Sequence, residues 1–193
     1  MSPRLSPLRH ALPLLALLAT PAAAELCPPL PDMSAERDRL HADLRVAPDP
    51  MTARGLSDAL WEIWTTAPDP VSQEMLDSGV ERLRLGDHAR AIAMFDTLTG
   101  YCPHYAEGFN QRAFARFLQG DHAAALPDLD AALEIAPRHV GALSGKALVL
   151  MELGRNEAAL AALEAALDLH PWLNERALVP VLEDRIAGAH AAP

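Results

Sequence analysis

Residues 106–139 read AEGFNQRAFARFLQGDHAAALPDLDAALEIAPRH, and the same frame recurs on both sides of them. Pro103, Pro137 and Pro171 stand 34 residues apart, as do Gly86, Gly120 and Gly154, and Ala91, Ala125 and Ala159. Three columns at one spacing divide residues 72–173 into units 72–105, 106–139 and 140–173. In each unit the fourth, eighth and twelfth positions are mostly apolar or small, as in Phe109, Ala113 and Phe117, and fall on one face of a first helix. The glycine then stops that helix, because it adopts a left-handed conformation without a Cβ penalty. Asp87, Asp121 and Asn156 follow, placed to cap a second helix. That helix carries an i, i+4 seam such as Ala125 and Leu129, and proline ends the unit. A lone helical hairpin cannot bury both its faces, so the units must stack.

The columns Gly, then Ala-x-x-x-Phe or Leu, then Pro resemble the tetratricopeptide repeat (TPR) family. The resemblance implies an all-α fold, a helical-hairpin solenoid of three 34-residue units. Two departures stand out. Ser78, Arg112 and Lys146 occupy a position where the family usually has an aliphatic residue, and Arg82 and Arg116 replace its tyrosine. Pro127 falls inside the second helix of unit two, where a bend is expected.

The flanks also read as helical. The tetrapeptide Ala-Pro-Asp-Pro occurs at 47–50 and again at 67–70, punctuating helices near 33–46 and 51–66. Leu56, Leu60, Ile63 and Trp64 form one apolar face of the second. Residues 25–71 are therefore expected to be a lead segment with N-terminal helices covering the first repeat. Residues 174–193 are expected to form a C-terminal cap and tail, with Pro180 opening the second half of the segment Asn174 to Gly188.

Residues 1–24 have the parts of a secretory signal peptide: Arg4 and Arg9, the apolar run Ala11 to Leu18, and Ala22-Ala23-Ala24 before Glu25. The run is far short of the roughly 20 residues that span a bilayer. Leu26 before Cys27 does not suit lipoprotein processing. Cleavage before Glu25 leaves 169 residues with 14 basic and 26 acidic side chains, a charge of −12. Periplasmic or secreted localisation is the expectation, with no membrane insertion after cleavage. In such a compartment Cys27 and Cys102, the only cysteines, are expected to pair.

Lys146 is the only lysine, and no basic patch rises above the acidic background, which argues against nucleic-acid partners. No catalytic residue, cofactor or metal is expected. Gly141 to Lys146 lacks the spacing and hydroxyl of a phosphate loop. Asp128 and Asp130 read as a solvated helix face, and His88 and His122 as exposed turn residues. TPR stacks generally hold a protein or peptide partner in their concave groove, so the resemblance implies a binding module and not an enzyme. The expected groove residues are Asn110, Phe114 and Phe117, flanked by Val80, Leu83, Ser144, Leu148 and Met151. Asn110 is expected to face the partner, because packing gives it little reason to be there. Positions that carry a cationic carboxylate clamp in one subfamily hold Gln73, Asp77, Asn110, Gln111, Ser144 and Gly145 among others, with no Lys or Arg. A cell-envelope assembly accessory is an alternative setting. A small-ligand binder or enzyme would need a convergent polar constellation between the N-terminal helices and the array.

Overall fold

The computed structural model describes residues 27–191, with side chains to His190; the signal-peptide expectation lies outside these residues. All the regular elements described are helical. The first two are α1 (Ser34–Arg45) and α2 (Pro50–Thr65). The repeats supply α3 (Pro70–Arg84), α4 (His88–Tyr101), α5 (Ala106–Gln119), α6 (His122–Ile135), α7 (Val140–Glu152) and α8 (Asn156–Leu169). A 3-10 turn over Asn174–Leu178 leads into α9 (Val179–Ala191), so the last helix opens one residue before Pro180 and runs past Gly188.

The turn glycines do what the period requires. Gly86, Gly120 and Gly154 have φ of 72°, 85° and 73°, in the left-handed region. Asp87 and Asp121 cap α4 and α6 by accepting from the backbone N–H of Arg90 and Ala124. Asn156 does not cap: it is the first residue of α8, and Arg155 precedes it without a side-chain bond. Pro127 lies within α6, which continues to Ile135. Inside each hairpin a small residue faces a large one. A Cβ on Gly79 would sit 2.3 Å from the Phe95 ring, so unit one fits phenylalanine only because it lacks that atom. The later units pack Ala113 with Leu129 and Ala147 with Leu163, trading one size against the other.

Both Ala-Pro-Asp-Pro segments start helices. Asp49 accepts from Met51 and Thr52 N–H, Asp69 forms a capping box with Ser72, and the proline after each aspartate is the first helical residue.

The α1–α2 hairpin does not cover the first repeat. Leu40, Leu44, Ala53 and Leu60 pack with Val140, Leu169, Trp172 and Leu173, over the turns that end units two and three. Those turns carry the apolar surface that matches the α2 stripe. Polar contacts fix the docking: Asp38 pairs with Arg138, His41 Nδ1 lies 3.3 Å from Leu169 O, and His170 Nε2 lies 2.7 Å from Ser57 Oγ. Unit one is closed instead by the Pro-rich lead. Cys27 is bonded to Cys102 with a Cα separation of 5.2 Å, and both pack with Leu76, Phe95 and Leu98. At the other end Leu182 of α9 is buried among Leu150, Leu163 and Leu178.

Two outcomes follow from this docking. The bond spans 75 residues, and loop-closure entropy gives it a stabilisation of about 4 kcal/mol. Urea unfolding with and without reductant, or of Cys102→Ala, should show a loss of that order. Burial foremost holds the His41 and His170 imidazoles below the usual histidine range, with the Arg138 charge adding to the effect at His41. The unfolded chain therefore takes these protons first, so stability is full above about pH 6.5 and declines as pH falls through that value. Ring Cε1–H resonances of both histidines should titrate below the free-histidine midpoint; ordinary midpoints would contradict the buried docking.

Candidate functional site

A groove of about 550 Å³ opens between α3, α5 and α7. Val80, Leu83, Asn110, Phe114, Phe117, Ser144 and Leu148 all line it. Met151 does not, because it packs against Leu150, Leu163 and Leu182 beneath α9. Trp61 of α2 and Glu175 of the 3-10 turn also line the groove, so the N-terminal hairpin forms part of its wall. Trp61 and Phe114 are each 49% exposed and Leu118 is 42% exposed, an apolar cluster facing solvent. Phe117 meets the His122 ring edge-on at 5.2 Å. His88 and His122 are the first residues of α4 and α6 and are half-buried, not exposed turn residues.

Beneath the groove floor lies a buried polar network that the sequence reading missed. Glu107, Asn110, Gln111 and His139 are all buried, Glu107 and His139 completely. Asn110 Nδ2 donates to Glu107 Oε2 at 3.0 Å, and Gln111 Nε2 donates to Oε1 at 2.6 Å. His139 Nε2 is 2.8 Å from Oε2, while its Nδ1 accepts from Ala142 N–H at 3.2 Å and caps α7. That cap places the ring hydrogen on Nε2, aimed at the carboxylate. Asn110 is thus held from within, contrary to the expectation that packing gives it no reason to be there.

The network reaches the N-terminal hairpin. The Trp64 ring stacks on His139 with centroids 4.1 Å apart, and the Arg37 guanidinium lies 4.8 Å above Trp64. Tyr105 donates its hydroxyl to Trp64 O at 2.8 Å. Burial, then the charges of Glu107 and Asp77, push that phenol upward and keep the proton on it. Trp64, Tyr105 and Glu107 also border a second cavity of about 620 Å³ between α1, α2 and the array. A convergent polar constellation therefore exists, but both ring nitrogens of its histidine are already bonded. Among the described residues no three His, Cys, Asp or Glu side chains gather as a metal site.

Comparison with known proteins agrees with the repeat frame. Sequence models of the tetratricopeptide repeat match residues 76–140 and 116–172. The chain belongs to the tetratricopeptide-repeat family. No curated protein sequence matches it. Among solved structures, the Sgt2 TPR domain from Aspergillus fumigatus aligns with a TM-score of 0.61 and 20% identity, covering 66% of this chain and 87% of that one. The first TPR of Spaghetti (RPAP3) bound to an HSP90 peptide gives 0.59 and 20%, covering 60% and 93%. The Yersinia enterocolitica type III secretion chaperone SycD, in complex with a peptide of the translocator YopD, gives 0.53 and 14%, covering 62% and 92%. At these identities the likeness is one of fold.

The departures from the TPR pattern in unit two have a structural reason. Asp128 is buried, not on a solvated face, and it holds both non-family arginines. Arg112 donates to it through Nε at 3.0 Å and Nη2 at 2.6 Å, and Arg116 through Nη1 at 2.6 Å. Arg112 also reaches Asp96 and Thr99 of α4, both at 2.8 Å. Positions that hold an aliphatic residue and a tyrosine elsewhere in the family form a charged seam joining α4, α5 and α6 here. The signal was present in sequence, since two arginines four apart on one helix can face one aspartate on the next.

Asn110→Ala strips a donor from an enclosed carboxylate and should cost about 2 kcal/mol. Phe114→Ala, at a half-exposed site, should stay within about 0.5 kcal/mol. Urea titration of the two variants checks this; equal losses would contradict the assignment of Asn110 to the buried network.

Proposed function

We propose that this TPR protein is an exported binding module that holds a protein or peptide segment in the groove between α3, α5 and α7. The observation that carries the reading is the apolar cluster of Trp61, Phe114 and Leu118, exposed in a concavity whose other walls are mostly apolar or small, with Asn110 and Gln111 on the floor and Arg84 and Glu175 among the lining residues. Large exposed anchors of this kind contribute most when a partner covers them. The fold neighbours add support, for they include TPR domains in complex with peptides of HSP90, of Hsp70 and of YopD. Export is part of the proposal and is supported by the character of residues 1–24 and by the pairing of Cys27 with Cys102. An accessory role in assembling a cell-envelope complex is the setting that suits such a module. The cavity between the N-terminal hairpin and the array is the alternative, a small-ligand site, and the Glu107–His139 pair beside it favours that reading. The groove is preferred because that pair is committed to structural hydrogen bonds, whereas Phe114 is 49% exposed on the groove wall.

Site-directed photocrosslinking at Phe114 in the envelope fraction identifies the partner. Phe114→Asp should then weaken its binding at least tenfold, about 1.4 kcal/mol, with little change in melting temperature. Unchanged affinity would remove the groove assignment. N-terminal sequencing of the mature protein should begin at Glu25, and intact Met1 in cytosolic protein would end the export proposal.

A further inference from the structure

The groove floor presents oxygens. Glu107 accepts from both neighbouring amides, so Asn110 and Gln111 must each turn the nitrogen inward to the carboxylate. Their carbonyl oxygens, Oδ1 and Oε1, accept no hydrogen bond among the described residues, yet neither is an enclosed atom, and both residues line the groove. Ser144 donates its hydroxyl hydrogen to Gly141 O at 3.2 Å, which leaves its oxygen as a third acceptor. Arg84 is the one cation among the lining residues, and it is an exposed side chain 3.9 Å from Glu81.

We infer that the groove binds an extended, apolar peptide segment through the backbone N–H groups of that segment, and does not read a terminal carboxylate. This rests on the groove reading above. A carboxylate would face three lone-pair oxygens, with the Glu107 charge behind them and Glu175 at the wall. A bound helix has no free N–H beyond its first turn. An extended chain turns alternate residues to one side at a repeat of about 7 Å, and so can supply donors to acceptors spread across α5 and α7. Gly141 and Gly145 of α7 fit against the groove floor, where a Cβ would lie 3.4 Å from Asn110 Nδ2 and 3.2 Å from Leu129 respectively. The alternate side chains of the segment then reach Trp61, Phe114 and Leu118.

Two libraries of short synthetic peptides, one ending in a free carboxylate and one amidated, are selected against the full disulfide-bonded protein. The best peptide is then titrated by calorimetry. Amidating its C-terminus should change affinity less than about twofold. N-methylation at one or two alternate residues should weaken binding about fivefold or more, the loss of a single hydrogen bond. Ser144→Ala should weaken the parent peptide by a few fold. Loss of binding on amidation, tolerance of N-methylation at every residue, or dependence on one Lys or Arg side chain would each overturn the inference while leaving the groove reading in place. Failure of both libraries to yield any binder that competes at Phe114 would overturn the two together.

Discussion

The carboxylate of Glu107 is enclosed between two helical hairpins, and the arrangement around it is set by its need for donors. A buried charge is costly unless its lone pairs are met. Here three donors come from two elements. Asn110 and Gln111 lie on the same helix, and His139 comes from the turn that leads into α7. Because His139 also caps α7, the position of unit three relative to unit two is tied to one acidic side chain. Apolar contacts between stacked repeats are non-directional. This joint adds a directional element, and replacing either partner would strand the other.

Two surfaces inherit their chemistry from that joint. On one side, the amides that satisfy Glu107 turn their oxygens to the groove. On the other, the His139 ring is a platform for Trp64, and through Trp64 for Arg37 and the whole α1–α2 hairpin. The hairpin in turn brings Trp61 to the groove wall. It is held at its chain ends by α3 on one side and by the Cys27–Cys102 bond in the lead on the other. Its polar contacts with the array include His41 and His170, whose neutral rings leave no acceptor for a second proton. His41 Nε2 is enclosed without a partner, and His170 Nδ1 faces Trp172 N–H. Packing at this interface and the shape of the groove are therefore linked.

The architecture was legible where it depends on backbone and size. The period, the turn glycines and the caps at Asp87 and Asp121 follow from residue type at a fixed spacing, and the groove position of Phe114 follows from the family resemblance. What was not legible depends on charge pairing between elements. Glu107 and Asp128 are acids on amphipathic helices, and hydropathy alone assigns both to solvent. Each is met in part by a donor on another element, 32 and 16 residues away. The internal task of Asn110 is hidden from sequence for the same reason. The docking of α1–α2 was misplaced because an apolar stripe states that a helix is covered and not what covers it. Asn156 shows the smaller error of one residue in a helix start.

Native-state hydrogen exchange of Glu107→Gln tests most directly whether this carboxylate organises both surfaces. The substitution keeps size and replaces an acceptor-only group with one that carries its own donor. Amides of α2 near Leu60 and Trp64 should exchange about tenfold faster or more, along with those of α5 and the start of α7, while α3 and α4 keep their protection. Unchanged protection in α2, with any effect confined to the neighbours of Glu107 on α5, would contradict it.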